Sequence, residues 1–353
     1  MKKNILKKIL SLILATIIVC VSCGFVVVRA KNAFNFSDIM LMSMKIAMPN
    51  GSTNMQSTEE PKSEKVEKPL GNIESEEETA NKTSPDNVSH EGERTYPVQE
   101  ISQRTGNMSF ENISVKNTTS FDLDIESTLK KPLPFKIEDN HTAQVLIVHT
   151  HTCESYLDDD SDFYYESFYP RTTDKKKNVS AVGDAIAKAL KSKGISTVHS
   201  TTLHDYPSYD GSYDRSYDTI QEYLKKYPNI KVVLDIHRDS MTADDNTKYK
   251  PTFMYEGKKA AQIMIMTGRD VDTDGFPFWD ENLIFALKLQ KTCEDMYEGF
   301  TRPLDFGDFT YNMNVNNGSL LIEVGTDANS LDEAIRSGEM LGNALANCLQ
   351  NGK

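Results

Sequence analysis

Residues 231–240 read Lys-Val-Val-Leu-Asp-Ile-His-Arg-Asp-Ser. Val232, Val233, Leu234 and Ile236 are apolar at both parities, so a strand here leaves no face for water and belongs inside a sheet covered on both sides. Its carboxyl end delivers Asp235, His237, Arg238 and Asp239 in quick succession. Two further runs share this form. Gln144–Val148 leads straight into His149-Thr150-His151-Thr152-Cys153-Glu154-Ser155-Tyr156, and Leu320–Val324 carries Glu323 one residue before its end. In open α/β sheets ligands bind outside the carboxyl ends of the strands, which makes these three edges the place to look for chemistry.

Helical periodicity fills the intervals. Val179, Val182, Ile186 and Leu190 share one face over 179–192, stopped by Gly194; Tyr217, Ile220, Leu224 and Tyr227 share one over 217–227, ended by Pro228. Ile195–Val198 and Gln262–Met266 are further strands, and Glu281–Tyr297 a further helix. The last helix opens on Ser330-x-x-Glu333, a capping box, and turns Ala334, Ile335, Leu341, Leu345 and Leu349 inward. Strands alternating with helices predict an α/β domain over residues 132–353, with a mostly parallel sheet and helices on both faces.

The chain ahead of Pro132 is of a different kind. Residues 1–8 form a basic tail with Lys2, Lys3, Lys7 and Lys8. Residues 9–28 carry no charge and are long enough to cross a bilayer as a transmembrane signal anchor. The positive-inside bias then places everything after Arg29 on the extracytoplasmic side of the cell membrane. Residues 29–131 are expected to be a disordered acidic spacer, since 51–100 hold 12 acidic against 5 basic residues and few large apolar side chains. With 52 Asp+Glu against 39 Lys+Arg in 353 residues, the chain has no basic surplus to recommend a nucleic-acid partner. Cys153, Cys293 and Cys348 are odd in number and far apart, which argues against a disulfide framework or a zinc knuckle. No G-x-G-x-x-G or phosphate-binding loop follows any strand.

Two imidazoles and a carboxylate that leave one position open are the ligand set of a catalytic zinc site. The candidate ligands are His149, His151, Glu154 and His237. His149 and His151 stand at i and i+2, on the same side of an extended chain, where both can approach one metal; either one also reads as a strand-end side chain satisfied by turn backbone, and Glu154 as a helix-cap carboxylate. Asp235 reads as the orienting partner of His237. Glu323, inside an apolar strand, needs a partner or a metal and reads as the general base. Arg238 is a candidate for holding a substrate carboxylate or the developing oxyanion, the other reading being an ion pair with Asp235 or Asp239. Trp279 reads as core packing at a helix start.

The blocks HTHTCESY (149–156), VLDIHRDS (233–240), TGRD (267–270), WDENL (279–283), Arg302, Tyr311-Asn312 and LLIEVGTDANSLDEA (320–334) resemble, in order, those of the stage II sporulation protein P family. More distantly the domain is similar to zinc-dependent N-acetylmuramoyl-L-alanine amidases. The resemblance implies a hydrolase with Zn2+ as cofactor and peptidoglycan as substrate, an amidase that removes stem peptides from glycan strands and an endopeptidase that also cuts cross-links. It further implies work in engulfment during endospore formation, beside stage II sporulation proteins D and M. One departure stands out. Where the amidases place a ligand Glu at the start of the first helix, this chain has Lys177-Asn178-Val179, which leaves Glu154, His149 or His151 to supply that ligand. A catalytically silent membrane-anchored scaffold that binds the wall, and a zinc metallopeptidase without a glycan requirement, are the rival readings.

Overall fold

The strands that are apolar at both parities take the middle of a large sheet. The computed structural model describes residues 90–351 apart from 139–140 and 271–274. In chain order these form β1 (Thr95–Ile101), β2 (Met108–Phe110), β3 (Ile113–Asn117), α1 (Ile125–Leu129), β4 (Val145–Val148), β5 (Phe163–Tyr165), α2 (Val179–Ser192), β6 (Thr197–His199), α3 (Ser212–Lys226), β7 (Val232–Asp239), β8 (Lys248–Tyr255), β9 (Lys258–Ala261), β10 (Ile263–Gly268), α4 (Trp279–Met296), β11 (Leu304–Gly307), a single 3-10 turn (Met313–Val315), β12 (Ser319–Thr326) and α5 (Leu331–Asn351). The large sheet has the order β2-β3-β11-β10-β12-β7-β4-β6, and a smaller one the order β5-β1-β8-β9.

The heart of the large sheet is parallel: β12 with β7, β7 with β4, β4 with β6. β10, however, runs antiparallel to β12, and β2 to β3, so the sheet is mixed: parallel in most of its pairings, as expected, but not in all. The cause is local. A parallel neighbour requires a crossover connection, but β10 arrives straight from β9 of the smaller sheet across Gln262 alone. Gln262 is buried at this crossing, where its side chain accepts the Gln103 N–H at 2.8 Å and donates to the Gly299 carbonyl at 2.9 Å.

Helices cover the two faces unevenly. Ile147, Leu234, Ile236, Ile322 and Val324 share one core with Val182 and Ile186 of α2, Phe285 and Leu289 of α4, and Leu341 and Leu345 of α5. Leu146, Val148 and Val233 meet Ile220 of α3 on the other face. Asp235 and His237 follow Val233 in steps of two, and so emerge on the α3 side. α2 has the bounds its periodicity predicts. The capping box of α5 is made: Ser330 Oγ accepts the Glu333 N–H at 3.2 Å while Glu333 Oε2 accepts the Ser330 N–H at 3.1 Å. Trp279 is core, stacked on Phe306 at 6.2 Å and against Phe121 at 5.1 Å.

The spacer is shorter than expected. β1 pairs with β8 and β3 with β11, and Val98, Ile113, Val115, Leu123 and Ile125 are buried. The domain therefore begins well before Pro132. Averaged charge over 51–100 concealed β1, and β3 is only five residues long; each buries few side chains. The basic tail 1–8, the anchor 9–28 and the spacer as far as residue 89 lie outside the described residues. Among the described residues no helix is long and apolar enough to cross a membrane.

A chain starting at Pro132 would bare the edges of β8 and β11 and lose those five buried side chains, each worth about 1.5–3 kcal/mol when large and apolar. Thermal melts followed by circular dichroism should show it unfolding far below a chain that starts at His90, or failing to melt cooperatively.

Candidate metal centre

β4 ends at Val148, and the chain turns at once. Asp235, on the neighbouring β7, fixes that turn by accepting the Thr150 N–H at 2.8 Å and the Thr150 hydroxyl at 2.6 Å. Burial opposes a charge on Asp235, but His237 and the Thr150 donors outweigh it and hold the pKa down at about 2. Thr152 Oγ1 then donates to the His149 carbonyl at 2.8 Å, and the Glu154 N–H to the His151 carbonyl at 3.0 Å. Because the backbone bends here rather than extending, the side chains of His149 and His151 part company.

His151 goes toward β7. Its Nδ1 lies 3.4 Å from Glu154 Oε1, and His237 Nδ1 lies 3.4 Å from Glu154 Oε2. One carboxylate thus sits between two imidazoles whose ring centroids are 5.0 Å apart. One donor atom from each of the three lies within 4.8 Å of the others, and all three residues are buried. Burial by itself raises the Glu154 pKa, yet Arg238 and the two histidines bring it well below the usual carboxylate range. Burial likewise disfavours a charge on His237, but Asp235 and then Glu154 lift its pKa well above the ordinary imidazole value.

Glu323 joins from β12. Its register partner on β7 is His237, which puts both side chains on one face of the sheet. Burial pushes its pKa up to about 8; His237 pulls against this, and Glu154 and Asp239 add to it. Glu323 Oε2 has no hydrogen-bond partner, nor have His151 Nε2 and His237 Nε2; Asp235 Oδ1 comes within 2.9 Å of the last, but without hydrogen-bonding alignment. Orphaned buried polar atoms are costly. Three of them beside a shared carboxylate, with two imidazoles, suit a zinc site with an open position. The residues fit a zinc ion held by His151, Glu154 and His237, with Glu323 alongside.

Two expected site residues are occupied elsewhere. His149 Nδ1 donates to the Ile236 carbonyl at 2.9 Å, and its Nε2 meets His199 Nε2 at 2.7 Å. Both ring nitrogens are thus engaged, and His149 lies outside the ligand cluster; burial, helped by His199, takes its pKa down to about 3. Arg238, one residue past His237, leaves β7 on the opposite face. Its Nε donates to the Ser155 carbonyl at 3.1 Å and its Nη2 to the Pro170 carbonyl at 2.8 Å, while its backbone N–H reaches Glu154 Oε2 at 3.2 Å. This corrects its expected role: the guanidinium braces the Glu154 segment instead of facing a substrate, and Asp239 pairs with Arg302 at 2.9 Å. Cys153 is buried, and burial followed by Asp205 pushes its thiol up to about 12, so it is no thiolate nucleophile. Sequence reasoning missed Tyr209, stacked on the His151 ring at 4.5 Å, and Tyr213, edge-on to it at 5.4 Å. It also missed His199, which ends β6, and His204, which follows it, although the same strand-end rule points to both.

A family model described as stage II sporulation protein P matches residues 22–346. The chain belongs to the stage II sporulation protein P family. The stage II sporulation protein P of Bacillus subtilis (strain 168) is 31% identical over 209 residues, covering 55% of this chain and 48% of that one, so the match spans about half the relative's length. Solved structures similar to the chain include the catalytic domain of the CD27L endolysin targeting Clostridia difficile (10% identity, TM-score 0.36, 60% of this chain and 98% of that one). They also include the N-acetylmuramoyl-L-alanine amidase AmiC2 of Nostoc punctiforme (10%, 0.34, 59% and 95%) and the N-acetylmuramoyl-L-alanine amidase from Clostridium difficile 630 (18%, 0.32, 60% and 100%). Scores this low carry no weight for the chemistry, which rests on the side chains themselves.

For this member of the stage II sporulation protein P family, metal content should follow the geometry. The full-length chain purified in detergent without added metal is expected to hold about one zinc by elemental analysis. His151→Ala and His237→Ala should each lose it, and His149→Ala should keep it. Arg238→Met leaves Glu154 without its brace and should lower stability by roughly 3 kcal/mol. A thermal midpoint equal to the parent's, with only KM altered, would return Arg238 to the substrate.

Proposed function

We propose that this chain is a zinc-dependent peptidoglycan hydrolase of sporulation, an N-acetylmuramoyl-L-alanine amidase with endopeptidase activity on peptide cross-links. The observation that carries this reading is the buried cluster of His151, Glu154 and His237 with the unpartnered carboxyl of Glu323 beside it, at the carboxyl ends of parallel strands. An amide between a lactyl group and L-alanine resists water. The site must therefore make water nucleophilic, stabilise the oxyanion and protonate the leaving amine.

Zinc, when bound by those three residues, supplies an acidified water and a polarised carbonyl. Glu323 handles the proton. Its Oε2 is free to take one from the attacking water, and burial favours the protonated form that must then deliver it to the departing nitrogen. Asp235, through Thr150, and Arg238, through Ser155 and Pro170, hold the cluster in place before substrate arrives. Family membership supports work in endospore formation. The family motifs extend the proposal to engulfment beside stage II sporulation proteins D and M, and residues 9–28 to an anchor that holds the hydrolase on the extracytoplasmic face of the membrane.

Digestion of purified peptidoglycan with mass analysis of the products tests the reading. Free stem peptides are the amidase product and uncross-linked muropeptides the endopeptidase product; no product from zinc-loaded protein sinks the proposal. Glu323→Gln keeps the shape of the carboxyl but cannot take the proton, so it should retain zinc and slow hydrolysis by roughly 10²–10⁴. If that variant lost its zinc instead, Glu323 would be a ligand.

A further inference from the structure

The reaction as derived makes no use of Tyr311. Its side chain is on the surface, 39% exposed, yet it is firmly held. The ring stacks on Tyr213 at 5.4 Å, with 27° between the planes, and meets Phe309 at 5.0 Å. Tyr213 in turn meets His151, which also stacks on Tyr209. Phe309, Tyr311, Tyr213, His151 and Tyr209 thus form a continuous strip of rings that starts near the ends of β10 and β11 and runs to the ligand cluster and past it.

The loop that presents Tyr311 is fixed on two sides. Tyr311 and Asn312 are consecutive left-handed residues, with φ of 40° and 58°. That conformation is unfavourable for a bulky side chain and persists only where the surroundings over-determine it. On one side, Asn312 Nδ2 donates to the Tyr213 carbonyl at 2.9 Å and to Ser216 Oγ at 3.0 Å, tying the loop to α3. On the other, Phe309 sits over Gly268 and Gly307, which are register partners at the ends of β10 and β11. A Cβ on Gly307 would come within 2.3 Å of the Phe309 ring, and one on Gly268 within 2.0 Å of its carbonyl oxygen. Strained backbone of this kind gathers at functional sites, and here it holds an exposed aromatic ring in one place beside a candidate metal centre.

We propose that Tyr311 is the stacking platform for a sugar ring of the glycan strand next to the metal centre. This rests on the hydrolase reading above. The scissile amide is joined to a sugar through the lactyl group, so a sugar must lie close to the ligand cluster, where the strip runs. A pyranose offers a face of C–H bonds, which complements the negative face of a tyrosine ring. The stem peptide, by contrast, carries carboxylates that call for cations. The phenylalanine and tyrosine rings of the strip offer no cation, and Arg171 at its border already pairs with Asp205 and lies over the Tyr209 ring at 5.1 Å.

The test uses the full-length chain carrying Glu323→Gln, zinc-loaded in detergent, so that binding is read without turnover. Tetra-N-acetylchitotetraose is the sugar probe and a synthetic stem pentapeptide the peptide probe, both measured by calorimetry. Tyr311→Ala and Tyr311→Gly should weaken tetrasaccharide binding about tenfold and leave pentapeptide affinity unchanged, whereas Tyr311→Phe should stay within about twofold. Glycine accepts the left-handed backbone, so a loss shared by Ala and Gly but spared by Phe belongs to the ring and not to a disturbed loop. The proposal is overturned if the parent does not bind the tetrasaccharide, if Tyr311→Gly binds it as the parent does, if Phe loses as much as Ala, or if the pentapeptide is the probe that suffers. Failure of the wild-type chain to release products from peptidoglycan would count against the hydrolase reading alone, since sugar binding is measured separately.

Discussion

A carboxylate in the interior of a β-sheet has to find donors or give up its charge, and Asp235 finds them in the turn that follows the neighbouring strand. By holding Thr150 through both its N–H and its hydroxyl, it decides where the chain bends after β4. That bend sends His151 and Glu154 toward His237, two residues beyond Asp235 on its own strand. The network does not stop there. Thr150 Oγ1 lies 2.7 Å from Ser216 Oγ of α3, and Ser216 Oγ accepts from Asn312. One buried chain of hydrogen bonds therefore sets the candidate ligands and the loop carrying Tyr311, so a change at Asp235 is felt at both.

His237 and Glu323 were legible in the sequence because a strand fixes the side from which each side chain emerges, and an apolar run of known parity leaves little choice. Choosing between His149 and His151 was not possible by the same means. Spacing of i and i+2 implies a shared side only while the backbone stays extended, and the Thr150 contacts that bend it come from a residue far away in the sequence. Arg238 is different again: alternation already placed it opposite His237, but the carbonyls of Ser155 and Pro170 that claim it belong to a loop whose path no local pattern reveals. β1 and β3 escaped notice because short strands with few buried side chains look like the acidic stretch before them. Their stability comes from β8 and β11, not from themselves.

The mixed sheet follows from the route of the chain rather than from any preference of its residues. β10 reads as apolar as its parallel neighbours and would pass for one of them in isolation. It runs the other way because the segment before it forms a hairpin in the smaller sheet instead of a crossover helix. α4 then returns on the face opposite α3, so the Glu323 side of β10 and β12 is bordered by loops and the 3-10 turn. Glu323 is half-buried there, its Oε2 shielded from solvent, without being sealed beneath a helix.

The crossing at Gln262 has a mechanical meaning. Many hydrolases admit a bulky polymer by swinging one lobe away from another about a flexible linker, but β9 and β10 are consecutive stretches of extended chain with one buried, hydrogen-bonded residue between them. Thr326 Oγ1 of β12 also donates to the Tyr249 carbonyl of β8, and Ser337 Oγ of α5 to the Ala261 carbonyl of β9. The two sheets are riveted rather than hinged. Under the hydrolase proposal, a long, stiff glycan has to be accommodated at a site whose shape is set when the protein folds.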